Sequence, residues 1–527
     1  MTTRSPRSSR RPPLASAGSL AAVNDLTDDG STDHDAAELG TGGGVASTAG
    51  ASGANPRLTR LAPWWAAVTL GTLGAVGAVT VTWRIGSGPR PTVDGFWPHL
   101  ALGYRDAHVL FYLATGLLAL GWLGVGVRAL AGRLDAARAW ATLALWGTPL
   151  ALGTPIFSRD PYSYVALGQL ARRGLNPFAV APAALGHGVL LSSIALVWRH
   201  TTSPYGPLFV ELTHASAALS GSSLLTQVLG VRAIALVGLV ALMVVLPRLA
   251  RAAGVDPGVA RWLAVLSPLA LYSAVSTAHN DTLMLAGMML ALLVAQRGWW
   301  RTAVALFALA ATIKLPALAG TAVVSVAVLR DQRGAARWRT VLESVAITAA
   351  VLAGVTWLAG WGWGWLSPAA LRIPTELRVL TTPSVDVAHL VVVALHAVGV
   401  AAPSHAVVTV VLDAIELAAG ALALVVVARA RRPTHVRALG VGLLVVALGS
   451  PTLWPWYLLW GITALAVTPA QRSRTLAGVA ALAMWLVGPG GSPMIGGNGF
   501  YVAGPLALGA LLWYAWSGRW RSWWDPS

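Results

Sequence analysis

From Leu61 onward the chain alternates apolar runs of about twenty residues, the length that crosses a bilayer as a helix, with short polar breaks. The pattern predicts helices near 61–83, 108–128, 139–157, 224–247, 259–277, 282–296, 301–313, 315–330, 340–359, 406–429, 436–450, 455–468, 474–489 and 500–517. The short pair at 301–330 reads as a tight or re-entrant hairpin. Two further apolar stretches, 205–221 and 385–402, fit as helices lying at or dipping into one membrane surface. The expected fold is all-α, a polytopic transmembrane bundle of about 14 helices of spanning length, occupying 59–527. Residues 1–58 differ. Four early arginines precede an acidic patch from Asp25 to Glu38 and a Gly/Ala/Ser/Thr stretch, the composition of a disordered tail.

Composition agrees. Hydrophobic residues make up 56% and charged residues 11%, whereas soluble domains carry about 25% charge. The net charge of +17 would suggest nucleic acid if it were gathered on one domain. Instead the arginines sit in short runs between apolar stretches: Arg128/Arg133/Arg138, Arg248/Arg251, Arg297/Arg301, Arg330–Arg339, Arg429–Arg437, Arg472/Arg474 and Arg519/Arg521. All fall on one side of the predicted bundle, which the positive-inside rule makes cytoplasmic. Both termini are then inside, the expected location is the plasma membrane, and nucleic acid is not an expected partner. The Trp-rich end, Arg519 to Trp524, fits an inner interfacial anchor. With no cysteine, thiol chemistry and cysteine-ligated metals are excluded, and no histidine pair has zinc-site spacing.

Two long outer loops remain, 158–224 and 361–405, dense in aromatic and proline residues, and loops of that length are usually functional or disordered. The chemistry is expected there. Outside the tail there are 14 carboxylates, and half lie in inner loops or within predicted helices. Asp94, Asp106, Asp160, Glu211, Asp281, Glu376 and Asp386 are left on or near the outer side. Asp160, in Ser158-Arg159-Asp160-Pro161-Tyr162-Ser163-Tyr164, starts an amphipathic segment ending at Arg172-Arg173-Gly174. It suits both a helix N-cap and a general base. Asn280-Asp281 can likewise cap a helix, and beside them His279 could bind a hydroxyl or phosphate. Lys314, the sole lysine, either snorkels to the interface or holds a lipid phosphate. Arg372 and Arg378 run against the orientation bias, and a guanidinium matches phosphate oxygens. Tyr162, Tyr205, Trp454 and Trp456 fit an interfacial belt or the wall of a sugar or prenyl cleft. Asp413 and Glu416, three apart inside a predicted helix, are the main support for a transporter.

In order along the chain, six motifs occur: 158–164, Asn176-Pro177-Phe178, Pro204-Tyr205-Gly206-Pro207-Leu208, His279-Asn280-Asp281, Lys314-Leu315-Pro316 and Pro455-Trp456-Tyr457-Leu458-Leu459-Trp460. Together they resemble the actinobacterial polyprenol-phosphomannose-dependent α-1,6-mannosyltransferases, membrane glycosyltransferases of the GT-C class, over about 61–520. The resemblance implies outer-face transfer of mannose from a polyprenyl-phosphate mannose donor to a hydroxyl of a lipid-linked mannan, with membrane lipids as surroundings and a monomeric enzyme. Asp160 occupies the position of the essential Asp of that class. Many members show two acidic residues close together, and none is near Asp160 in this sequence. No cofactor is then required, although a divalent metal stays compatible. Asp160 is expected as catalytic base. Lys314, Arg372, Arg378, His279, Asn280 and Asp281 are expected near donor phosphate or sugar. A GT-C enzyme for a polyprenyl-linked glucose or arabinofuranose would share these features.

Overall fold

The structure, a computed structural model, describes residues 63–86, 100, 102–371, 382–400 and 403–481. The predicted tail, Asp94, Arg372, Glu376, Arg378, the helix at 500–517 and the Trp-rich end lie outside the described residues. Within them the chain is all helix and loop, with no strand. The helices are α1 Trp64–Ile85, α2 Tyr104–Leu130, α3 Ala136–Leu152, α4 Asp160–Arg172, α5 Pro207–Leu219, α6 Leu224–Ala252, α7 Pro257–Ala264 and α8 Asp281–Gln296. They continue as α9 Trp300–Ala311, α10 Leu318–Leu329, α11 Ala335–Ala359, α12 Pro383–Ala397, α13 Ser404–Ala428, α14 His435–Gly449, α15 Leu458–Leu465 and α16 Gln471–Ala481.

Five of these, α1, α2, α6, α11 and α13, are long and apolar enough to cross a membrane, and six if the bent pair 257–264 and 268–276 counts as one. Several remaining helices are shorter than the predicted spans because special residues end them. Asp135 caps α3 by accepting from the Arg138 amide at 2.8 Å, and α3 stops at Gly153 rather than at 157. The segment expected as one helix at 259–277 breaks before Pro268, bends by 52°, and continues into a π-helix at Leu271–Ser276. Proline removes the donor and clashes with the preceding turn. Local π geometry often accompanies functional sites.

One tryptophan pair holds α2 to α7. Trp122 Nε1 donates to the Trp262 carbonyl at 3.0 Å, Trp262 Nε1 donates to the Trp122 carbonyl at 2.8 Å, and the rings stack at 4.9 Å. Burying each indole with its N–H satisfied avoids the desolvation cost of an unpaired donor. On α11 and α13 most of the apolar surface faces outward, including Trp357, Leu358, Leu417 and Leu424, as lipid-facing helices require.

The first long loop is not a surface excursion. The amphipathic pattern expected for 162–173 is corrected: α4 is buried on nearly every side, with only Gln169 and Arg172 partly or fully exposed. The reason is local. Gly168 lies so close to α5 that a Cβ there would sit 2.2 Å from the Thr213 carbonyl oxygen, so glycine lets the two backbones meet.

Candidate active site

Asp160 reaches its place through a tight turn. Ile156 N donates to Ser276 Oγ at 3.0 Å, Phe157 adopts φ 70°, and the Ser158 hydroxyl accepts the Asp160 amide at 3.1 Å. A left-handed non-glycine residue costs about 1–2 kcal/mol, and such strain gathers at functional sites. Of the two readings of Asp160, the cap fails. Arg159 occupies the N-cap position, and the Asp160 carboxylate makes no capping bond. It turns inward instead, with Oδ2 3.4 Å from His279 Nδ1. Burial raises its pKa to about 6, against the Ser158 hydroxyl and the Lys314 charge, which favour the carboxylate. Asp281 adds to the rise and Tyr164 opposes it.

His279, Asn280 and Asp281 follow the π-helix. Thr277 Oγ1 bonds back to the carbonyls of Tyr272 and Ser273, both at 3.0 Å, and Ala278 takes φ 53°. That second left-handed residue turns His279 toward Asp160. Burial, then the Lys314 charge, lowers the imidazole pKa well below its ordinary value, so the neutral ring makes no ion pair with Asp160, and its Nδ1 lies 3.5 Å from the Tyr164 hydroxyl. The expected cap at Asn280 is also absent. Its side chain makes no capping bond, and both amide atoms are buried without a partner among the described residues. An unpaired buried amide group costs about 1–3 kcal/mol. His279 Nε2, Ser163 Oγ and Tyr162 OH are unpartnered too. Buried polar atoms are nearly always satisfied, so these two motifs hold polar groups in excess of what the protein itself pairs.

Asp281 carries the firmest contacts. Lys314 Nζ lies 2.9 Å from both of its carboxylate oxygens, and Trp460 Nε1 donates to Oδ1 at 2.5 Å. The ammonium also sits over the rings of Tyr457, Trp460 and Tyr205, at 4.8, 5.5 and 5.8 Å. Neither snorkelling nor a bare cation describes it. Tyr205 is placed by its own motif: Gly206 N donates to Ile313 O and Leu208 N to Thr312 O, both at 3.1 Å. A Cβ at Gly206 would lie 2.2 Å from the Thr312 carbonyl oxygen. Trp456 stacks on His279 at 3.7 Å, and Trp454 on Trp456 at 5.0 Å.

Five of the six sequence motifs therefore meet in one place. The sixth is a strut. Asn176 Nδ2 donates to the Trp361 carbonyl at 2.8 Å, joining the two long loops, and Pro177 O accepts from Ser203 N at 2.9 Å within the first. Tyr162 has Arg232 and Arg159 as its charged neighbours. Arg372 and Arg378 lie outside the described residues.

Two features escaped the sequence. Asp160 has a second carboxylate among its electrostatic neighbours, Asp281, which corrects the expectation of an isolated acid. Their 121-residue separation along the chain conceals the proximity. The buried Arg232 of α6 was also missed. Its Nε and Nη2 donate to the Ser276 carbonyl at 3.0 and 2.7 Å, and Nη1 to the Ala151 carbonyl at 2.5 Å. It ties the end of α3 to the π-helix beneath the site. An arginine inside an apolar helix was the available signal. Among the described residues no three His, Asp or Glu side chains are grouped to hold a metal ion.

Residues 67–330 match the family description "Alpha-(1->6)-mannopyranosyltransferase, N-terminal domain", and 384–517 match "MptB C-terminal domain". The chain is 31% identical over 473 residues to alpha-(1->6)-mannopyranosyltransferase A of Mycobacterium tuberculosis, covering 84% of this chain and 88% of the relative. It is 30% identical to a probable alpha-(1->6)-mannopyranosyltransferase of Mycolicibacterium smegmatis, covering 77% and 80% of the two chains. With alpha-(1->6)-mannopyranosyltransferase B of Corynebacterium glutamicum the identity is 26%, over 79% and 75%. No solved structure matches. The helical architecture, the apolar spans and these matches together place the chain in the actinobacterial α-(1→6)-mannopyranosyltransferase family, as a membrane-integral glycosyltransferase.

Proposed function

We propose that the protein transfers mannose from a polyprenyl-monophosphate mannose to a hydroxyl of a lipid-linked mannan, forming an α-1,6 linkage with inversion at the outer face of the plasma membrane. The family membership supports the sugar and the linkage. The observation that carries the mechanism is the buried Asp160 carboxylate, held against a neutral His279 and beside unpaired polar atoms of His279, Asn280 and Ser163. A carboxylate with pKa about 6 is ionised at neutral pH and still basic enough to take a proton as attack begins.

In the proposed step the acceptor 6-hydroxyl oxygen attacks the anomeric carbon, and its proton passes to Asp160. The bond from that carbon to the phosphate oxygen breaks, and the phosphate leaves with the electron pair. Attack opposite the leaving group inverts the centre, as in inverting glycosidases, so a β-linked donor gives an α product. His279, with one ring nitrogen turned to Asp160, presents the other to a sugar hydroxyl, and Asn280 offers one acceptor and two donors. Charge growing on the phosphate needs preorganised cations. Arg372 and Arg378 are the proposed phosphate ligands, and Lys314 contributes its field from its fixed place on Asp281. Tyr205, Trp454 and Trp456 would line the cleft. The chemistry as drawn calls for no cofactor.

Support for an outer location comes from the arginines. The site lies at the start of α8, whereas Arg297, Arg330 and Arg432 lie at the other ends of the same helices, the side that the positive-inside rule assigns to the cytoplasm. The test is reconstituted transfer with polyprenyl-phosphate mannose and a short α-mannoside acceptor, with and without chelator, and with polyprenyl-linked glucose and arabinofuranose as competing donors. Mannose transfer resistant to chelator is the expected result. Transfer with another donor alone would replace the sugar.

A further inference from the structure

At the opposite end of the bundle a cavity of about 780 Å³ opens among the ends of α6, α8, α10, α14 and α15. The 16 residues of α8 separate it by about 24 Å from Asp281, so it is not part of the transfer site. Three arginines line it, Arg297, Arg432 and Arg437, together with His435, and no Asp or Glu does. Asp331 holds Arg432 through Nε at 2.6 Å from outside the cavity. On the inner wall are Val324 and Val328.

His435 stands at the edge of this space. Its side chain is 7% exposed and Nδ1 donates to the Arg432 carbonyl, which leaves the buried Nε2 of the neutral ring an acceptor that takes no part in binding an anion. It also begins α14, whose first-turn N–H groups have no acceptor within the helix and carry its positive end. The start of α14 and three guanidinium groups, that of Arg432 paired with Asp331, border one space of ordinary ligand size. Guanidinium groups bind phosphate oxygens in pairs.

We propose that this cavity is a second, non-catalytic site for a phosphate-bearing ligand, the chemistry shared by an anionic lipid headgroup and free phosphate. The polar mouth takes the phosphate, and the valine wall offers acyl chains an apolar surface.

The full chain in detergent would be incubated separately with phosphatidylglycerol, diacylglycerol and inorganic phosphate, reading retained ligand by native mass spectrometry and the melting temperature. Wild type is expected to retain phosphatidylglycerol and to melt several degrees higher with it. In Arg297→Gln/Arg437→Gln retention falls at least tenfold, while Arg133→Gln/Arg138→Gln, the same charge change outside the cavity, leaves it intact. Should the double variant fail to fold, Arg297→Glu at an exposed turn serves in its place. An equal shift with inorganic phosphate supports the site with the free ion as ligand. A shift with phosphatidylglycerol alone supports it with the lipid. Equal retention by wild type and cavity variant, diacylglycerol retained as well as phosphatidylglycerol, or no retention of either phosphate probe by wild type would overturn the proposal.

Discussion

Lys314 Nζ lies 2.9 Å from both carboxylate oxygens of Asp281. The only lysine of the chain is thus engaged by a fully buried acid and enclosed by aromatic rings. Breaking a buried pair by removing one partner costs about 3–5 kcal/mol, because the other charge is left uncompensated. Lys314→Met should therefore destabilise the protein by that order, and Asp281→Asn/Lys314→Met should recover much of the loss. Thermal melting of the two single variants and the double closes the cycle. Additive losses would show that the pair is not coupled.

Activity should depend on pH through Asp160. Its pKa is raised to about 6, so the carboxylate needed as base disappears as pH falls through that value. The rate constant kcat/KM should fall about tenfold per pH unit below 6, as for a single essential ionisation. The stability effect has the opposite sign. A raised carboxyl pKa favours the folded state below the unfolded value of 3.8, and that contribution is lost as pH rises through about 6. A flat profile from pH 5 to 7 would contradict the assignment.

Arg232→Met should be severe although it touches no substrate group. It would strip the Ser276 and Ala151 carbonyls of charged donors, each worth about 1.5–3 kcal/mol. Melting should fall and transfer with it, since the π-helix end that carries Ala278 and His279 loses its anchor. Unchanged melting would show that the three bonds are dispensable.

Gly206→Ala is expected to cost about 1–3 kcal/mol through overpacking, because its Cβ would overlap the Thr312 carbonyl. Tyr205 would shift away from Lys314, and acceptor turnover should drop more than stability alone explains. Melting and kinetics on one preparation separate the two effects.

Much of the site was visible in the sequence because polar islands in an apolar chain are few. Asp160, His279–Asp281, Lys314 and Trp454–Trp460 each stood at a predicted helix end, and the structure brings them together. Their mutual geometry was not visible. Cap and base readings of Asp160 differ only in where the carboxylate points, which the left-handed turn at Phe157 decides. The burial of α4 was missed because its polar residues, Asp160, Tyr162, Ser163 and Tyr164, face protein rather than water. The break near Pro268 and the π-helix were hidden inside an apolar run long enough to pass for one span.

Asp160 is proposed to take the acceptor proton, and Asp160→Asn isolates that step. The amide keeps the shape and size of the side chain but cannot accept that proton as a base. With the variant folded, as shown by melting close to wild type, mannose transfer from polyprenyl-phosphate mannose should fall by about 10²–10⁴-fold. Transfer near the wild-type rate would contradict the account and return Asp160 to a structural role.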